Sequence, residues 1–305
     1  MSRTVELDLG LVVAGHGRHY IIETPEGRRL ICHPRGKKSD AVVGDRVRWQ
    51  STGGDHDEGV IEQLEPRRNL LFRQDEWKTK SFAANLDLLL VWVAVDPQFS
   101  ESQLARSLIA AESAGIAASI VLNKSDLPDA PAQLERLAPY RAMGYHVIEL
   151  SLKDERDAAE AVLKPALAGR TTLVLGPSGT GKSTLINALI PNAKAQVGEI
   201  SKALNSGRHT TTTTQWYWLE RETQTALIDS PGFQEFGLQQ IAPTELPGYM
   251  PDLREHADGC RFYNCAHRHE PGCSVIAAVE RGAITANRWR IYGQLMDELS
   301  SGPRR

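Results

Sequence analysis

The stretch VLGPSGTGKSTLINALI, residues 174–190, decides the fold, because it has the form of a phosphate-binding loop that leads into a helix. Residues 176–183 match the pattern G-x4-G-K-[ST] at every fixed position. The apolar run TTLVLG precedes the loop and KSTLINALI follows it, so the motif has the strand–loop–helix setting that it requires. The glycines let successive backbone N–H groups point at phosphate oxygens, and the start of the helix adds a favourable dipole.

This loop and a later motif predict how phosphate and metal are held. Lys182 is expected to reach the β- and γ-phosphates, and the Ser183 hydroxyl to bind Mg²⁺. The motif ALIDSPG, residues 226–232, places Asp229 at the end of an apolar strand, where a carboxylate suits an outer-shell hold on Mg²⁺. The N–H of Gly232 suits a γ-phosphate sensor. The predicted contacts are Gly176, Pro177, Ser178, Gly179, Thr180, Gly181, Lys182, Ser183, Thr184, Asp229 and Gly232.

A second motif, IVLNKSDLP at residues 120–128, has the form of a guanine-reading loop. The Asp126 carboxylate is expected to accept two hydrogen bonds from guanine that adenine does not offer, and unpaired polar groups would then reject the wrong base. A helix N-cap is the alternative, but the motif follows the strand IAASIVL, and open α/β sheets bind ligands at the carboxyl ends of strands. The predicted base contacts are Asn123, Lys124, Ser125, Asp126 and Ser151.

The two motifs occur in the reverse of their usual order, because the base-reading motif ends at Pro128, well before Gly176. Both are functional if the domain is permuted, since strands can lie side by side in one sheet whatever their order along the chain. Permutation is tolerated at surface loops. We therefore predict a circularly permuted P-loop GTPase domain. The segment after the second switch, near Gly237, then leads directly into the cysteine-rich region.

The composition is that of an ordinary globular chain, with 305 residues, 41% hydrophobic, 24% charged and a net charge of −3. The near-neutral charge gives no support for a generally basic nucleic-acid-binding protein. The N-terminal stretch MSRTVELDLG lacks the apolar run of a signal peptide. The most apolar segment, residues 86–95, is half as long as the ~20 residues of a membrane span. We expect a cytoplasmic protein without a membrane segment.

The secondary-structure pattern divides the chain into three parts and predicts a multidomain α/β protein. Residues 1–72 contain short β-rich runs between turn signals, which predicts a five-stranded barrel of OB or SH3 type. Residues 73–237 alternate strands and helices from Leu86 onward, which predicts a mostly parallel sheet covered on both faces. Residues 238–305 are interrupted by prolines, contain a cysteine cluster and close with a helical segment at 275–300.

The catalytic group is the hardest to assign. In Ras-like enzymes a glutamine after the second-switch glycine orients the attacking water, but Phe233 stands here and has no group that hydrogen-bonds water. The stretch SGRHTTTTTQ, residues 206–215, lies where the first switch belongs. His209 is expected to position or deprotonate water, with Arg208 as a competing charge stabiliser. Thr211 is expected to close over Mg²⁺, with its neighbours Thr210 and Thr212 as alternatives.

Three of the four cysteines lie close together near the C-terminus, in the pattern Cys260-x4-Cys265-x-His267-x5-Cys273. Three thiolates and one imidazole form a complete tetrahedral set for zinc, which predicts one structural Zn²⁺ and no open position for catalysis. His269 is a rival to His267 as the fourth ligand. A short, proline-interrupted region with few apolar strands needs such a metal to hold its fold.

Taken in order, these motifs resemble those of the RsgA (YjeQ) family, circularly permuted GTPases that depend on the small ribosomal subunit. The resemblance covers essentially the whole chain, including VVGDRV in the barrel and EFGL after the second switch. It implies an N-terminal OB-fold, a permuted GTPase domain and a zinc-binding C-terminal domain. It also implies His209 as the catalytic histidine, His267 as the zinc ligand, and a role in late maturation of the small subunit.

On this basis we expect a monomeric GTPase that converts GTP to GDP with Mg²⁺, bound to the 30S ribosomal subunit and its 16S rRNA. Because the catalytic set lies on a switch loop, hydrolysis is expected to be slow alone and faster on the ribosome. Two alternatives stay open at this point. One is a GTPase that acts on another RNA such as tRNA. The other is a zinc-stabilised RNA-binding module with a vestigial nucleotide site, which the intact Lys182, Ser183 and Asp229 disfavour.

Overall fold

A computed structural model describes residues 7–16, 18–36, 40–53, 58–75, 78–153, 156–190, 193, 214–230 and 238–301. Over these residues the chain forms a barrel, a sheet with helices on both faces, and a helical C-terminal region. In the same ranges, no helix combines the length and apolar character that crossing a bilayer requires.

The N-terminal barrel closes by pairing its fourth strand with its first. Its order is β1-β2-β3-β5-β4, with β4 back on β1, and only the β3–β5 pair among these is parallel. A closed five-stranded barrel of this kind is OB-like, which decides between the two types that the sequence left open. The strands are β1 (Asp8–His16), β2 (His19–Glu23), β3 (Arg29–Pro34), β4 (Arg46–Ser51) and β5 (Glu58–Leu64).

A hairpin that the sequence pattern did not reveal follows the barrel, formed by β6 (Leu70–Asp75) and β7 (Lys78–Ala84). It spans the boundary predicted between residues 72 and 73, so that boundary falls inside a strand. The hairpin is tied back to the barrel, because the Ala84 N–H donates to the Val43 carbonyl at 3.0 Å. The division of the chain into separate domains therefore stays a prediction.

The central sheet has the order β10-β9-β8-β11-β13-β12, parallel except for β12. Strand β8 explains why its sequence is continuously apolar: Leu89, Val91 and Val93 pack into the core on one face, and Leu88, Leu90 and Trp92 into the core on the other. The predicted strand–helix alternation is confirmed. The strands are β8 (Leu88–Ala94), β9 (Ala117–Asn123), β10 (His146–Glu149), β11 (Thr171–Leu175), β12 (Gln215–Glu220) and β13 (Thr225–Asp229).

Helices cover both faces of this sheet. Residues of α3 (Arg156–Leu167) and α4 (Lys182–Leu189) belong to the core on one face. Residues of α1 (Glu101–Ser113) and α2 (Ala130–Ala142) belong to the core on the other face, which continues into the C-terminal region. The fold therefore leaves the carboxyl ends of the parallel strands as the edge at which a ligand can be held.

The C-terminal region consists of a 3-10 turn at Leu246–Tyr249 and the helices α5 (Pro251–Ala257), α6 (Ser274–Glu280) and α7 (Ala286–Ser301). The segment predicted as helical from residue 275 is thus two helices, separated near Gly282, whose φ of 78° is left-handed. Helix α7 is fixed to α1, where Arg106 donates to Glu298 at 3.0 Å. The Arg288 guanidinium, buried in α7, also pairs with Asp252 of α5 at 2.7 Å.

The barrel is joined to the sheet by one pair of strands and by a buried carboxylate beside that pair. Strand β1 pairs with β12, with Ala14 opposite Gln215. Beside this contact Glu23, only 2% exposed, accepts hydrogen bonds from Arg29 Nε at 2.9 Å and from Trp218 Nε1 at 2.6 Å, and pairs with Arg221 at 2.8 Å. Because Glu23 lies in the barrel and Trp218 in β12, this carboxylate fixes the barrel against the sheet.

Candidate nucleotide site and metal centre

The phosphate loop, residues 176–181, connects β11 to α4 and is held against β8. A Cβ at position 176 would lie 2.0 Å from the Trp92 carbonyl oxygen, so only glycine fits there. Gly181 has a φ of 99°, and a Cβ on it would lie 2.4 Å from Asn123 Nδ2. The fixed glycines of the motif are therefore required by the close approach of β8 and of the base-reading loop.

The base-reading loop is bonded directly to the phosphate loop. Asn123, the last residue of β9, donates from Nδ2 to the Thr180 carbonyl at 2.8 Å, and its Oδ1 accepts from the Leu152 N–H at 3.2 Å. Trp92 donates from its indole N–H to the same Thr180 carbonyl at 2.9 Å. One buried carbonyl thus joins the phosphate loop to the end of β9 and to β8, although the two motifs occur in reversed order along the chain.

The carboxylate of Asp126 lies at the open end of this arrangement. Asp126 is exposed, and Ser151 donates to its Oδ1 at 2.6 Å. Lys124 has a left-handed φ of 62°, and its ammonium donates to the Asp96 carbonyl. Ser125 is anchored through its N–H to the Leu150 carbonyl at 3.2 Å. The structure therefore brings together the five residues predicted as base contacts, and the Ser151 side chain is hydrogen-bonded to Asp126.

Lys182 and Asp229 form the charged floor of the site. Lys182 is 8% exposed, and its ammonium donates to the carbonyls of Gly176 and Pro177, the latter at 2.8 Å. Asp229 ends β13 and is 7% exposed. Burial raises the pKa of Asp229 to about 6, with the Lys182 charge and a backbone hydrogen bond from Ser230 opposing it. Burial lowers the pKa of Lys182, and the negative charge of the Asp229 carboxylate opposes this lowering.

The residues around this floor fit a Mg²⁺-nucleotide. A buried carboxylate and the exposed Ser183 hydroxyl in the first turn of α4 are hard oxygen donors, the kind that Mg²⁺ prefers. Over the described part of the chain no basic side chain forms an ion pair with Asp229. Thr184 is exposed beside Ser183, while the Thr180 hydroxyl is turned inward and donates to the Pro177 carbonyl at 2.9 Å. Several predicted residues fall outside the described residues, namely Arg208, His209, Thr210, Thr211, Thr212, Gly232 and Phe233.

The cysteine cluster assembles as the sequence predicts. The ligand atoms of Cys260, Cys265, His267 and Cys273 all lie within 4.8 Å of one another. Cys260 and Cys273 sulfurs are 3.8 Å apart, and each is 3.4 Å from His267 Nδ1. A tetrahedral zinc with its usual bond lengths gives about 3.8 Å between sulfurs and about 3.6 Å from sulfur to nitrogen. All four cysteines of the chain are free thiols, so the cluster fits zinc and not a disulfide.

His267 is built to present an unprotonated imidazole. His267 is 5% exposed and has a left-handed φ of 54°. Burial lowers the pKa of His267, and the negative charge of the Glu270 carboxylate opposes this lowering. Burial alone would raise the pKa of Glu270. Hydrogen bonds from the backbone N–H groups of residues 266, 268 and 269 outweigh this effect and lower the pKa of Glu270 to about 2. The rival ligand His269 is not part of the cluster. A neutral imidazole is the form that binds a metal.

Comparison with known proteins agrees with this geometry. The model of the RsgA GTPase family matches residues 64–239. A small ribosomal subunit biogenesis GTPase RsgA from Variovorax paradoxus is 62% identical over 296 residues, which are 95% of this chain and 92% of that protein. The chain belongs to the RsgA GTPase family. As a member of the RsgA GTPase family it is a GTP hydrolase, so the predicted enzyme class is confirmed.

Solved structures related to the RsgA GTPase family show the same architecture. The structure of YjeQ from Thermotoga maritima has a TM-score of 0.72 at 30% identity and covers 98% of this chain and 100% of its own. That of YloQ, described as a circularly permuted GTPase, has a TM-score of 0.69 at 27% identity and covers 100% of this chain and 99% of its own. The predicted fold class, with its permuted GTPase domain, is therefore confirmed.

Sequence patterns did not point to two residues at the site, or to the carboxylate that joins the barrel to the sheet. Trp92 donates to the Thr180 carbonyl, Glu23 joins the barrel to β12, and Gln215 lies opposite Asp229. Each lies within a strand that was predicted for its apolar or β-rich character alone. Their roles depend on contacts between elements that are distant along the chain, so no local signal reveals them.

Proposed function

We propose that this chain binds the small ribosomal subunit and assists its late maturation, hydrolysing GTP to GDP and phosphate faster on the subunit than alone. The observation that carries the proposal is the hydrogen bond from Asn123 to the Thr180 carbonyl, which makes one pocket of the base-reading and phosphate loops. The relative from Variovorax paradoxus is named a small ribosomal subunit biogenesis GTPase, which supports the small subunit as the target.

Each residue of the pocket has a role in this proposal. Asp126 accepts hydrogen bonds from guanine, and Ser151, which already donates to it, holds the carboxylate in place. The backbone N–H groups of residues 176–181 bind phosphate oxygens, and Lys182 moves its ammonium from the loop carbonyls to the β- and γ-phosphates. Ser183 and Asp229 hold Mg²⁺, which neutralises charge that develops on the phosphates.

Catalysis itself is assigned to the switch segment. His209 positions the attacking water, because Phe233 stands where Ras-like enzymes carry a water-orienting glutamine. Thr211 closes over the metal and Gly232 senses the γ-phosphate. This set becomes complete when a ribosomal surface orders the segment, so the subunit accelerates hydrolysis.

The other parts of the chain serve docking. The barrel, continuous with β12 through Ala14 and Gln215, is placed to pass contact with 16S rRNA to the switch segment that precedes Gln215. One Zn²⁺ on Cys260, Cys265, His267 and Cys273 holds the loop between α5 and α6. We assign the division 1–72, 73–237 and 238–305 as barrel, GTPase and zinc-binding parts, in a monomer that acts in the cytoplasm.

The test is GTP hydrolysis with and without purified small subunits. The intact chain should turn over slowly alone and at least about tenfold faster with saturating subunits. His209→Ala should lose the stimulated rate while still binding GTP, and Lys182→Ala should bind GTP weakly. Co-sedimentation with subunits should be greater with a non-hydrolysable GTP analogue than with GDP. An equal rate with and without subunits, or stimulation by tRNA instead, contradicts the proposal.

A further inference from the structure

Gln215 occupies a junction that no motif marks. It is the first residue of β12, directly after the switch segment. It pairs with Ala14 of the barrel on one side and with Asp229 of β13 on the other. It is therefore the residue where the barrel, the first switch and the metal-holding carboxylate meet.

The side chain of Gln215 is buried without a complete set of partners. It is 4% exposed, and its Nε2 finds no hydrogen-bond partner in the described part of the chain. Leaving an amide donor buried and unpaired destabilises a fold, and such groups are rare in native structures. A leucine would fill the position without this cost. The presence of a glutamine at this position is explained if its Nε2 donates a hydrogen bond once a nucleotide is bound.

The partner that the geometry offers is Asp229. Residues directly opposite in an antiparallel pair project from the same face, with Cβ atoms about 4.5–5.5 Å apart. Asp229 is 7% exposed, and no basic side chain of the described ranges forms an ion pair with it. Its carboxylate accepts from the Ser230 N–H and interacts with the Lys182 charge, and a carboxylate has further lone pairs that can accept from the Gln215 amide.

We propose that Gln215 is a positioning residue for Mg²⁺: its amide N–H donates to the Asp229 carboxylate and holds that carboxylate in the orientation that binds the metal. The inference rests on the proposed nucleotide site, because Asp229 faces Mg²⁺ only in that site. Removing an outer-shell partner of a metal changes metal affinity by about 10–100-fold, and Gln215 acts on the outer-shell carboxylate of Asp229. Gln215 acts through Asp229 and does not touch the nucleotide.

A matched control exists in the same sheet. Thr172 of β11 is fully buried, and its Oγ1 likewise lacks a partner among the described residues. It lies opposite Leu88 and Leu227, toward the other end of the strands from the site. Thr172→Val therefore removes an unpaired buried polar atom without touching the metal-holding edge. A change seen in both Gln215→Leu and Thr172→Val is an effect of packing in the sheet. A change seen only in Gln215→Leu indicates a role at Asp229.

The experiment measures the affinity of a fluorescent GDP analogue with Mg²⁺ and with excess EDTA, for the full chain and four variants. Gln215→Leu should reduce the Mg²⁺-dependent gain in affinity by about tenfold or more while the affinity in EDTA stays unchanged. Thr172→Val should keep the full gain. Gln215→Leu added to Asp229→Asn should cause no further loss, because the amide then has no carboxylate to orient. Melting temperatures of Gln215→Leu and Thr172→Val should be unchanged or raised.

The outcomes separate two failures. If Gln215→Leu keeps the full Mg²⁺ gain, or still reduces it when Asp229 is already Asn, the role of Gln215 is wrong. If Asp229→Asn itself keeps the full Mg²⁺ gain, the proposed nucleotide site is wrong and Gln215 has no metal-holding partner to orient. A loss of GDP affinity in EDTA for Gln215→Leu identifies a structural role and also overturns the proposal.

Discussion

The Thr180 carbonyl oxygen is the residue-scale feature on which the site depends. It accepts from the Asn123 amide and from the Trp92 indole, and Thr180 itself is 1% exposed. In a buried setting these hydrogen bonds are stronger than in water, and losing one leaves a polar group unpaired. The carbonyl therefore fixes the distance between the loop for the base and the loop for the phosphates.

Base selection at Asp126 gives the first prediction. Asp126→Asn presents an amide where guanine needs an acceptor, so preference should shift from GTP toward xanthosine triphosphate, with guanine affinity falling by about 100-fold or more. Competition binding with both nucleotides measures this. Ser151→Ala is the matched variant, because it removes the hydroxyl that donates to Asp126 at 2.6 Å and leaves the carboxylate itself. It should weaken GTP binding by about tenfold with the guanine preference intact. A GTP preference that survives Asp126→Asn contradicts the assignment.

The second prediction concerns pH and Asp229. Its pKa is raised to about 6 by burial, above the value of an unfolded aspartate, so the folded protein holds a proton that the unfolded chain has released. Stability of the nucleotide-free protein should therefore fall as pH rises from about 4 to about 6, by up to about 3 kcal/mol. Asp229→Asn should remove this fall, so that the variant is the more stable protein at pH 7.5.

Urea unfolding at pH 5 and pH 7.5 measures this difference. Glu222→Gln, at an exposed turn carboxylate, is the control and should leave the pH dependence unchanged. An Asp229→Asn protein that is less stable than the original at pH 7.5 would show that Asp229 is stabilised as a carboxylate, against the account.

Among the elements, we expect the loop between α5 and α6 to depend on a bound metal more than on packing. Phe262 and Tyr263 are exposed in it, at 41% and 103%, so the loop buries little apolar surface of its own. Cys273 both caps α6, accepting from the Ile276 N–H at 3.4 Å, and belongs to the cluster. Metal binding and the start of α6 are therefore coupled.

The third prediction follows from this coupling. The purified chain should contain one zinc, and a chelator should lower the melting temperature as the α5–α6 loop unfolds. Cys265→Ser and His267→Ala should lose the zinc, whereas His269→Ala should retain it. Metal content by elemental analysis is the measurement. Zinc loss in His269→Ala with retention in His267→Ala would reverse the assignment of the fourth ligand.

Elements with strong periodicity or a complete motif were predictable, and those that depend on distant partners were not. Strand β8 is apolar on both faces and the phosphate loop matches a full pattern, so both were found from local sequence. The hairpin of β6 and β7 was missed because its strands are rich in charged residues and its turn carries neither Gly nor Pro. The requirement for glycine at position 44 likewise depends on a distant partner. A Cβ there would lie 2.2 Å from the Ala84 carbonyl oxygen, where the barrel contacts the hairpin.

Across the whole molecule, Glu23 ties the barrel to the sheet beside the pairing of β1 with β12. Its carboxylate accepts from groups on both, at 2.6–2.9 Å. It is also 2% exposed, so the interaction is shielded from solvent. Strand β12, which this junction fixes, begins directly after the switch segment. One strand thus connects to the switch segment at its start and to the barrel along its edge.

The fourth prediction tests that junction. Glu23→Ala leaves the Trp218 indole and two guanidinium groups without their acceptor, and should destabilise the barrel against the sheet by about 2 kcal/mol. Calorimetry should then show the barrel unfolding before the nucleotide-binding part, with GDP affinity preserved. Arg35→Ala is the control, because its side chain is 75% exposed, its partner Glu62 keeps the hydrogen bond from Gln50 at 2.8 Å, and surface pairs contribute about 0–1 kcal/mol. A single unchanged transition in Glu23→Ala would contradict the role of the junction.

Two motifs in reversed order form one guanine-nucleotide pocket if a crystal structure with GDP and Mg²⁺ shows both in contact with the same nucleotide. We expect the β-phosphate over Lys182, and the Asp126 carboxylate within hydrogen-bonding distance of the guanine ring N–H and exocyclic amine in the same site. A nucleotide whose phosphates occupy the loop while its base lies away from Asp126 would contradict the claim.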